Sequence, residues 1–242
     1  MSFLIVLGSA VSVRAQEMLG NTGGFNIPTA EMDEAGTFRG GINFLGKGLI
    51  TPMTNANNHR WEFQYNTFIY YLDFTMFDWL EVSFRETLLE NLKDDRYRLR
   101  EQDRSFSIKV RPLKEGQYWP AIAIGVNDPT SITGNHPFSS AWLAMTKHIH
   151  SSSLAGTFAA TAGYMTVWDY CQMYDGPVAG LSYSPDWYPQ AKLMVEYDTQ
   201  GINYGLEAVL WKHLGLYFFA RESTAVSAGL RYQTTIKYRK KR

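Results

Sequence analysis

The sequence predicts an all-β protein: an antiparallel transmembrane β-barrel of about twelve strands whose lumen is filled or narrow. Three observations lead there. Apolar residues recur with a period of two along many segments, long polar connections alternate with tight ones, and tryptophans gather beside the tight turns.

Met1 to Ala15 opens with the apolar run Phe3-Leu4-Ile5-Val6-Leu7, passes through small residues and reads as a secretory signal ending near Ala15. The positively charged start that such signals carry is missing, which points to a start further upstream or to a weak signal. No later run reaches the roughly 18 to 20 apolar residues of a spanning helix. Export without a helical anchor leaves a soluble secreted protein or a membrane protein made of strands.

Residues 16–36 are a glycine-rich lead-in. Leu19-Gly20-Asn21-Thr22-Gly23-Gly24-Phe25-Asn26-Ile27-Pro28-Thr29-Ala30 sets glycines and small polar residues around two large apolar ones. Glycines allow tight turns and close backbone approach. Phe25 and Ile27 would be wasted apolar surface unless packed, so the segment is expected either as a periplasmic lead-in or as a plug across the barrel mouth.

The barrel is expected over residues 37–238, followed by a basic tail at 239–242. Strands are read near 37–46, 61–76, 80–89, 104–113, 119–127, 140–148, 154–164, 177–184, 190–198, 202–211, 215–222 and 225–238. In the last, Leu230, Tyr232, Thr234, Ile236 and Tyr238 alternate with Arg231, Gln233, Thr235 and Lys237. Phe106, Ile108 and Val110 oppose Ser107, Lys109 and Arg111 in the same way, and Leu193, Val195 and Tyr197 oppose Lys192, Met194, Glu196 and Asp198. Leu80, Val82 and Phe84 likewise oppose Glu81, Ser83 and Arg85.

A soluble sandwich also alternates, so the connections discriminate. Longer polar ones at 47–60, 90–103, 128–139 and 165–176 interleave with tight ones at Asp78-Trp79, Lys114 to Tyr118, Ile149 to Ser153 and Pro185 to Pro189. That is the pattern of an outer-membrane barrel with its tight turns in the periplasm. Trp79, Trp119 and Trp187-Tyr188 sit where a headgroup girdle needs amphipathic rings. The cell outer membrane is the expected location and the lipid bilayer the first expected partner.

If the apolar face meets lipid, the other face lines the lumen. Its members are Asp73, Glu81, Arg85, Lys109, Arg111, Asn127, Lys192, Glu196, Asp198, Asn203, Glu207, Arg231 and Lys237, and the charged ones up to Arg231 are the candidate binding residues. Charges of both signs would pair across a narrow barrel or line a wet passage in a wide one.

Composition excludes several classes. With 23 Lys+Arg against 23 Asp+Glu, binding of nucleic acid through bulk charge is not expected. The single cysteine, Cys171, rules out a disulfide framework or a cysteine-based metal site. His148 and His150 share a strand face but lack an acidic third ligand nearby in sequence, so no metal and no cofactor are expected. Ser139 and Ser140 near His136 lack a nucleophile elbow. Glu196 and Asp198 share a face as glycosidase acids might, yet Lys192 on the same face favours a structural ion pair. Gly46-Lys47-Gly48 lacks the remainder of a phosphate loop. No catalytic residue is assigned.

The chain resembles the YjbH family of outer-membrane proteins, which is associated with exopolysaccharide and capsule production. Gly20-Asn21-Thr22-Gly23 with Asn26-Ile27-Pro28-Thr29-Ala30 is similar to the family's start. Asp103-Arg104-Ser105-Phe106 resembles its Asp-Arg-Ser-Phe-Asp stretch, with Ser107 in place of the second Asp. Pro120-Ala121-Ile122-Ala123-Ile124-Gly125 with Asp128 resembles a further family strand, and Phe138-Ser139-Ser140 resembles its Phe-Ser-Ser-Glu, with Ala141 in place of Glu. Val195-Glu196-Tyr197-Asp198 and Asn203-Tyr204-Gly205 complete the likeness. Typical members are longer and carry a second barrel-like region, so the resemblance is to a compact single-barrel relative. It implies a non-enzymatic component of polysaccharide export or surface assembly, working on a polysaccharide beside a periplasmic or lipoprotein partner. The alternatives are a small passive pore or structural barrel, and a barrel-embedded hydrolase using His136, His148 or His150.

Overall fold

A computed structural model describes residues 17–49, 66–91, 98–129, 138–167, 175–222 and 224–236. Twelve strands follow one another: β1 (Thr37–Leu45), β2 (Thr67–Phe77), β3 (Leu80–Asn91), β4 (Arg98–Leu113), β5 (Ala121–Asn127), β6 (Ser140–Ser151), β7 (Gly156–Val167), β8 (Gly176–Pro185), β9 (Ala191–Tyr197), β10 (Ile202–Leu210), β11 (Leu214–Arg221) and β12 (Ala225–Thr235). Each pairs antiparallel with its neighbours in sequence. β1 then closes the cylinder on β12, from Thr37 opposite Thr235 to Leu45 opposite Ser227. Closure pairs the backbone groups that an open sheet would leave at its edges, which is what a hydrocarbon surround demands.

The period-two patterns sort to two faces as expected. Leu72, Phe84, Ile124, Leu143, Leu181, Val195, Leu206, Phe218 and Leu230 point outward and stay exposed. Glu81, Lys109, Glu196 and Arg231, which alternate with such residues, are buried inside. A belt of this kind around a closed barrel implies association with a lipid bilayer. Trp79, Trp119 and Trp187 are exposed at the tight-turn end, where Tyr118 and Trp211 join them.

Strand boundaries differ from expectation where the lipid belt ends. β4 begins at Arg98 and not near 104, because β3 and β4 pair on to Asn91 opposite Arg98. β6 and β7 also run longer, to a turn after Ser151 and to Val167. Beyond the hydrocarbon band nothing forces alternate residues to be apolar, so the pairing outlasts the pattern. At the end of the chain β12 stops at Thr235. Lys237, Tyr238 and the basic tail lie outside the described residues, as do the segment expected as a signal, residues 61–65 and His136.

The lumen is filled. Residues 17–32 run inside the cylinder with almost every side chain buried. Gly23 and Pro28 bridge to one another, making a tight loop of the stretch between them. Met18, Leu19, Phe25 and Ile27 form one apolar cluster with wall residues that include Leu45, Ile69, Phe138, Met165, Val178 and Phe219. Most of these wall residues lie on strand ends next to the long connections. The ring of Phe25 stacks on Phe219 at 4.9 Å. Burying such a ring is worth about 1.5–3 kcal/mol relative to leaving it in water.

Candidate functional site in the barrel lumen

The lumenal segment has few regular backbone partners, so its polar groups depend on the wall. The Glu196 carboxylate on β9 accepts from the backbone N–H of Phe25 at 2.5 Å and of Asn26 at 2.9 Å. At the neighbouring Gly24 a Cβ would run into the Glu196 carboxylate and displace it from these contacts. On the far side, Glu81 of β3 accepts from Thr22 N–H at 2.6 Å. Lys109 of β4 donates to the carbonyls of Thr22 and Glu31, both at 2.5 Å, with its ammonium over the Trp142 ring. Asn43 donates to Met18 O at 2.8 Å, and Ser83 to the Asn21 side chain at 2.8 Å. Thr146 accepts from Ala30 N–H at 2.9 Å.

Ionic contacts complete the network. Asp198 takes hydrogen bonds from the side chains of Asn26 and Asn203 and pairs with Arg221. Arg39 pairs with Asp33 and Arg231 with Glu207. Lys192 holds both oxygens of Glu31, at 2.9 and 3.1 Å. Charges this deep in a protein persist only when paired and hydrogen-bonded, because desolvation of a lone one costs several kcal/mol.

Of the residues expected to line the lumen, Asp73, Glu81, Arg85, Lys109, Asn127, Lys192, Glu196, Asp198, Asn203, Glu207 and Arg231 are buried within it. Arg111 stands at the tight-turn rim, donating to Asp78 O at 2.7 Å. Arg85 donates to Ser107 at 2.8 Å with its guanidinium over Phe138. One expectation is corrected. Lys192 does not pair with Glu196 or Asp198 along its own strand but crosses to Glu31, and the two acids bind the lumenal segment and Arg221 instead. Same-face spacing on a strand brings side chains near one another, yet a backbone N–H or a guanidinium aimed at the carboxylate wins the contact. Sequence reasoning missed Glu31, Arg39, Glu115 and Arg221. Arg39 and Arg221 stand on strands with lumenal parity and could have been found by it, whereas Glu31 and Glu115 lie outside any alternation.

At the tight-turn mouth His148 stands between two acids. Its Nδ1 lies 2.6 Å from Glu115 and its Nε2 3.0 Å from Glu31. Carboxylates only accept, so the geometry suits a ring carrying both protons. Burial works against the Glu115 carboxylate, but hydrogen bonds from the backbone and ring of His148 and from Lys147 outweigh it and hold its pKa below the ordinary value. At the turn before β3, the Lys114 ammonium 2.8 Å away does the same for Asp78. His150 lies 3.4 Å from Asp186 in an exposed pair. Among the described residues, no group of three His, Cys, Asp or Glu side chains converges on a position that could hold a metal ion. What the arrangement does chemically is bind: it offers carboxylates, amides, hydroxyls and cations to the polar backbone of an occupant.

A family model described as exopolysaccharide biosynthesis protein YbjH matches residues 15–240. No curated protein matches the chain. Among solved structures, the barrel is similar to the outer membrane phospholipase of Salmonella typhi, a dimer with bound calcium, at 10% identity and a TM-score of 0.36, over 84% of this chain and 91% of that one. It is also similar to outer membrane phospholipase A from Escherichia coli, at 10% identity and a TM-score of 0.34, over 83% of this chain and 92% of that one.

Proposed function

The chain belongs to the YjbH family of exopolysaccharide biosynthesis proteins, and from that premise we propose that it is a non-enzymatic outer-membrane barrel assisting export or surface assembly of an exopolysaccharide. The tight turns face the periplasm in this reading, as in other barrels with one short-turned end. A periplasmic or lipoprotein partner would meet the barrel at that end.

One observation carries the proposal: the wall holds its occupant through groups that also bind sugars. Glu81, Lys109, Thr146 and Glu196 hydrogen-bond to the backbone of the lumenal segment. Each of these groups can equally meet a saccharide hydroxyl. Displacing the segment by a glycan therefore exchanges partners at these four groups, while Lys192, which loses Glu31, needs an acidic group of the incoming chain in its place. The hydrolase alternative draws less support, since both ring nitrogens of His148 are taken by carboxylates.

The test is a clean deletion with the membranes fractionated. Expected are a heat-modifiable band in the outer-membrane fraction and loss of secreted polysaccharide on deletion. A protein found wholly in the soluble fraction would overturn the bilayer assignment. Unchanged polysaccharide, with bilayer conductance indifferent to saccharides, would favour a passive pore.

A further inference from the structure

Beside the lumenal segment, at the tight-turn mouth, lies a cavity of about 270 Å³ that the hydrogen-bond network does not occupy. Six polar side chains line it: Glu31, Arg111, Glu115, Thr146, His148 and Thr157. Ala30 and Ala121 complete the wall and keep it open, since each projects only a methyl group. Glu31 is 5% exposed and is held from two sides by Lys192 and His148, so its carboxylate is fixed before any ligand arrives. Glu115 is fixed likewise by Lys147 and His148.

We propose that this cavity is a binding site for a single pyranose ring of the exported glycan, with preference for a hexuronate. The proposal rests on the export reading above and adds to it a place and a substrate class. Size is the first argument. A cavity of about 270 Å³ has room for a sugar ring. Chemistry is the second. Carboxylates and a guanidinium grip pairs of neighbouring hydroxyls at two points each, and the threonine hydroxyls both donate and accept. Charge is the third. Among the charged groups that line the cavity or hold its acids, the cations Arg111, Lys147, Lys192 and a doubly protonated His148 exceed the carboxylates Glu31 and Glu115 by two. Asp33 cancels Arg39 beside them, and Asp78 cancels Lys114. An acidic ring is thus favoured over a neutral one, and a ring bearing an ammonium is opposed.

The position fits a route into the barrel. A second, water-sized space of about 20 Å³ also touches Glu31 and runs past Thr29, Thr161, Gly180 and Lys192 to Glu196. A glycan anchored at the mouth would extend along this small-residue wall of β7 and β8, where displacement of the segment needs the least movement of side chains.

The experiment measures binding of methyl glucuronide, methyl glucoside and the methyl glycoside of glucosamine to the detergent-purified full chain by ligand-observed NMR. The uronate is expected to bind with a dissociation constant on the order of 1 mM, with the glucoside weaker and the glucosamine derivative weakest. Ala121→Met fills the cavity and is expected to weaken uronate binding about tenfold or more, while Thr157→Val removes one hydroxyl at constant shape and weakens it severalfold. No saturable binding of any ring, or binding unchanged by A121M, overturns the site. Should A121M fail to show the heat-modifiable band, T157V decides alone. In cells the two claims separate. Loss of polysaccharide in the deletion strain with normal secretion by A121M rejects the cavity and keeps the export reading; normal secretion in the deletion strain rejects export whatever the binding shows.

Discussion

Removing the Glu196 carboxylate should release the lumenal segment while leaving the wall intact. The carboxylate accepts the Phe25 and Asn26 N–H groups at 2.5 and 2.9 Å, and both donors are buried. Hydrogen bonds to a charged group contribute about 1.5–3 kcal/mol each. Two that share one carboxylate do not add fully, so Glu196→Ala is expected to destabilise the seated segment by about 3 kcal/mol. At 1.4 kcal/mol per decade, the population of the withdrawn state rises about a hundredfold. Glu196→Gln keeps one carbonyl acceptor, and its effect should be nearer tenfold. Amide hydrogen exchange followed on peptides spanning residues 18–30 reads this directly, with the amides of β1–β12 as the internal reference. Protection is expected to fall in the segment alone, with bilayer conductance rising in the same order: wild type, E196Q, E196A. Unchanged protection at 18–30, or an equal loss through the strands, would refute the assignment of Glu196 as the anchor.

Three further outcomes follow from particular contacts. Arg221→Ala leaves the buried Asp198 without its cation, and breaking such a pair costs about 3–5 kcal/mol, so the temperature at which the heat-modifiable band disappears should fall markedly, whereas D198N/R221M should recover part of it. The Glu115 pKa is held below its ordinary value, so its contribution is fully present above the unfolded-state pKa and is lost as pH falls through the lower folded value; unfolding midpoints in detergent measured from neutral pH down into the acid range should show this loss in wild type and a shallower one in Glu115→Gln. Leu181→Arg sets a charge on the outward belt, where arginine near the bilayer midplane costs about 2–4 kcal/mol, and it should impair folding into lipid vesicles, whereas Leu181→Met should not.

The wall was legible in the sequence because lipid on one side and a packed lumen on the other impose opposite chemistry on alternate residues. That is why Leu193, Val195 and Tyr197 could be told from Lys192, Met194 and Glu196, and why closure of twelve strands followed. Legibility ended with the hydrocarbon band, as the long β3–β4 pairing from Thr87 to Arg98 shows. Inside the lumen, parity told which residues turn inward but not whom they meet. Lys192 reaches a partner 161 positions away and Glu196 one 171 away; neither distance leaves a local trace. The packing of Phe25 and Ile27 could be anticipated, because two large apolar side chains amid glycines need cover.

The same separation bears on how the cylinder is made. The segment runs into β1 through residue 36, yet most of the groups that hold it lie on other strands, β3, β4, β6, β9 and β11. Either it threads a finished tube, or the sheet curls about it as a sleeve is rolled on a mandrel, and the last zipper, β1 against β12, fastens afterwards. The second order of events spares Lys109, Glu196 and Asp198 from ever facing one another across an empty bore.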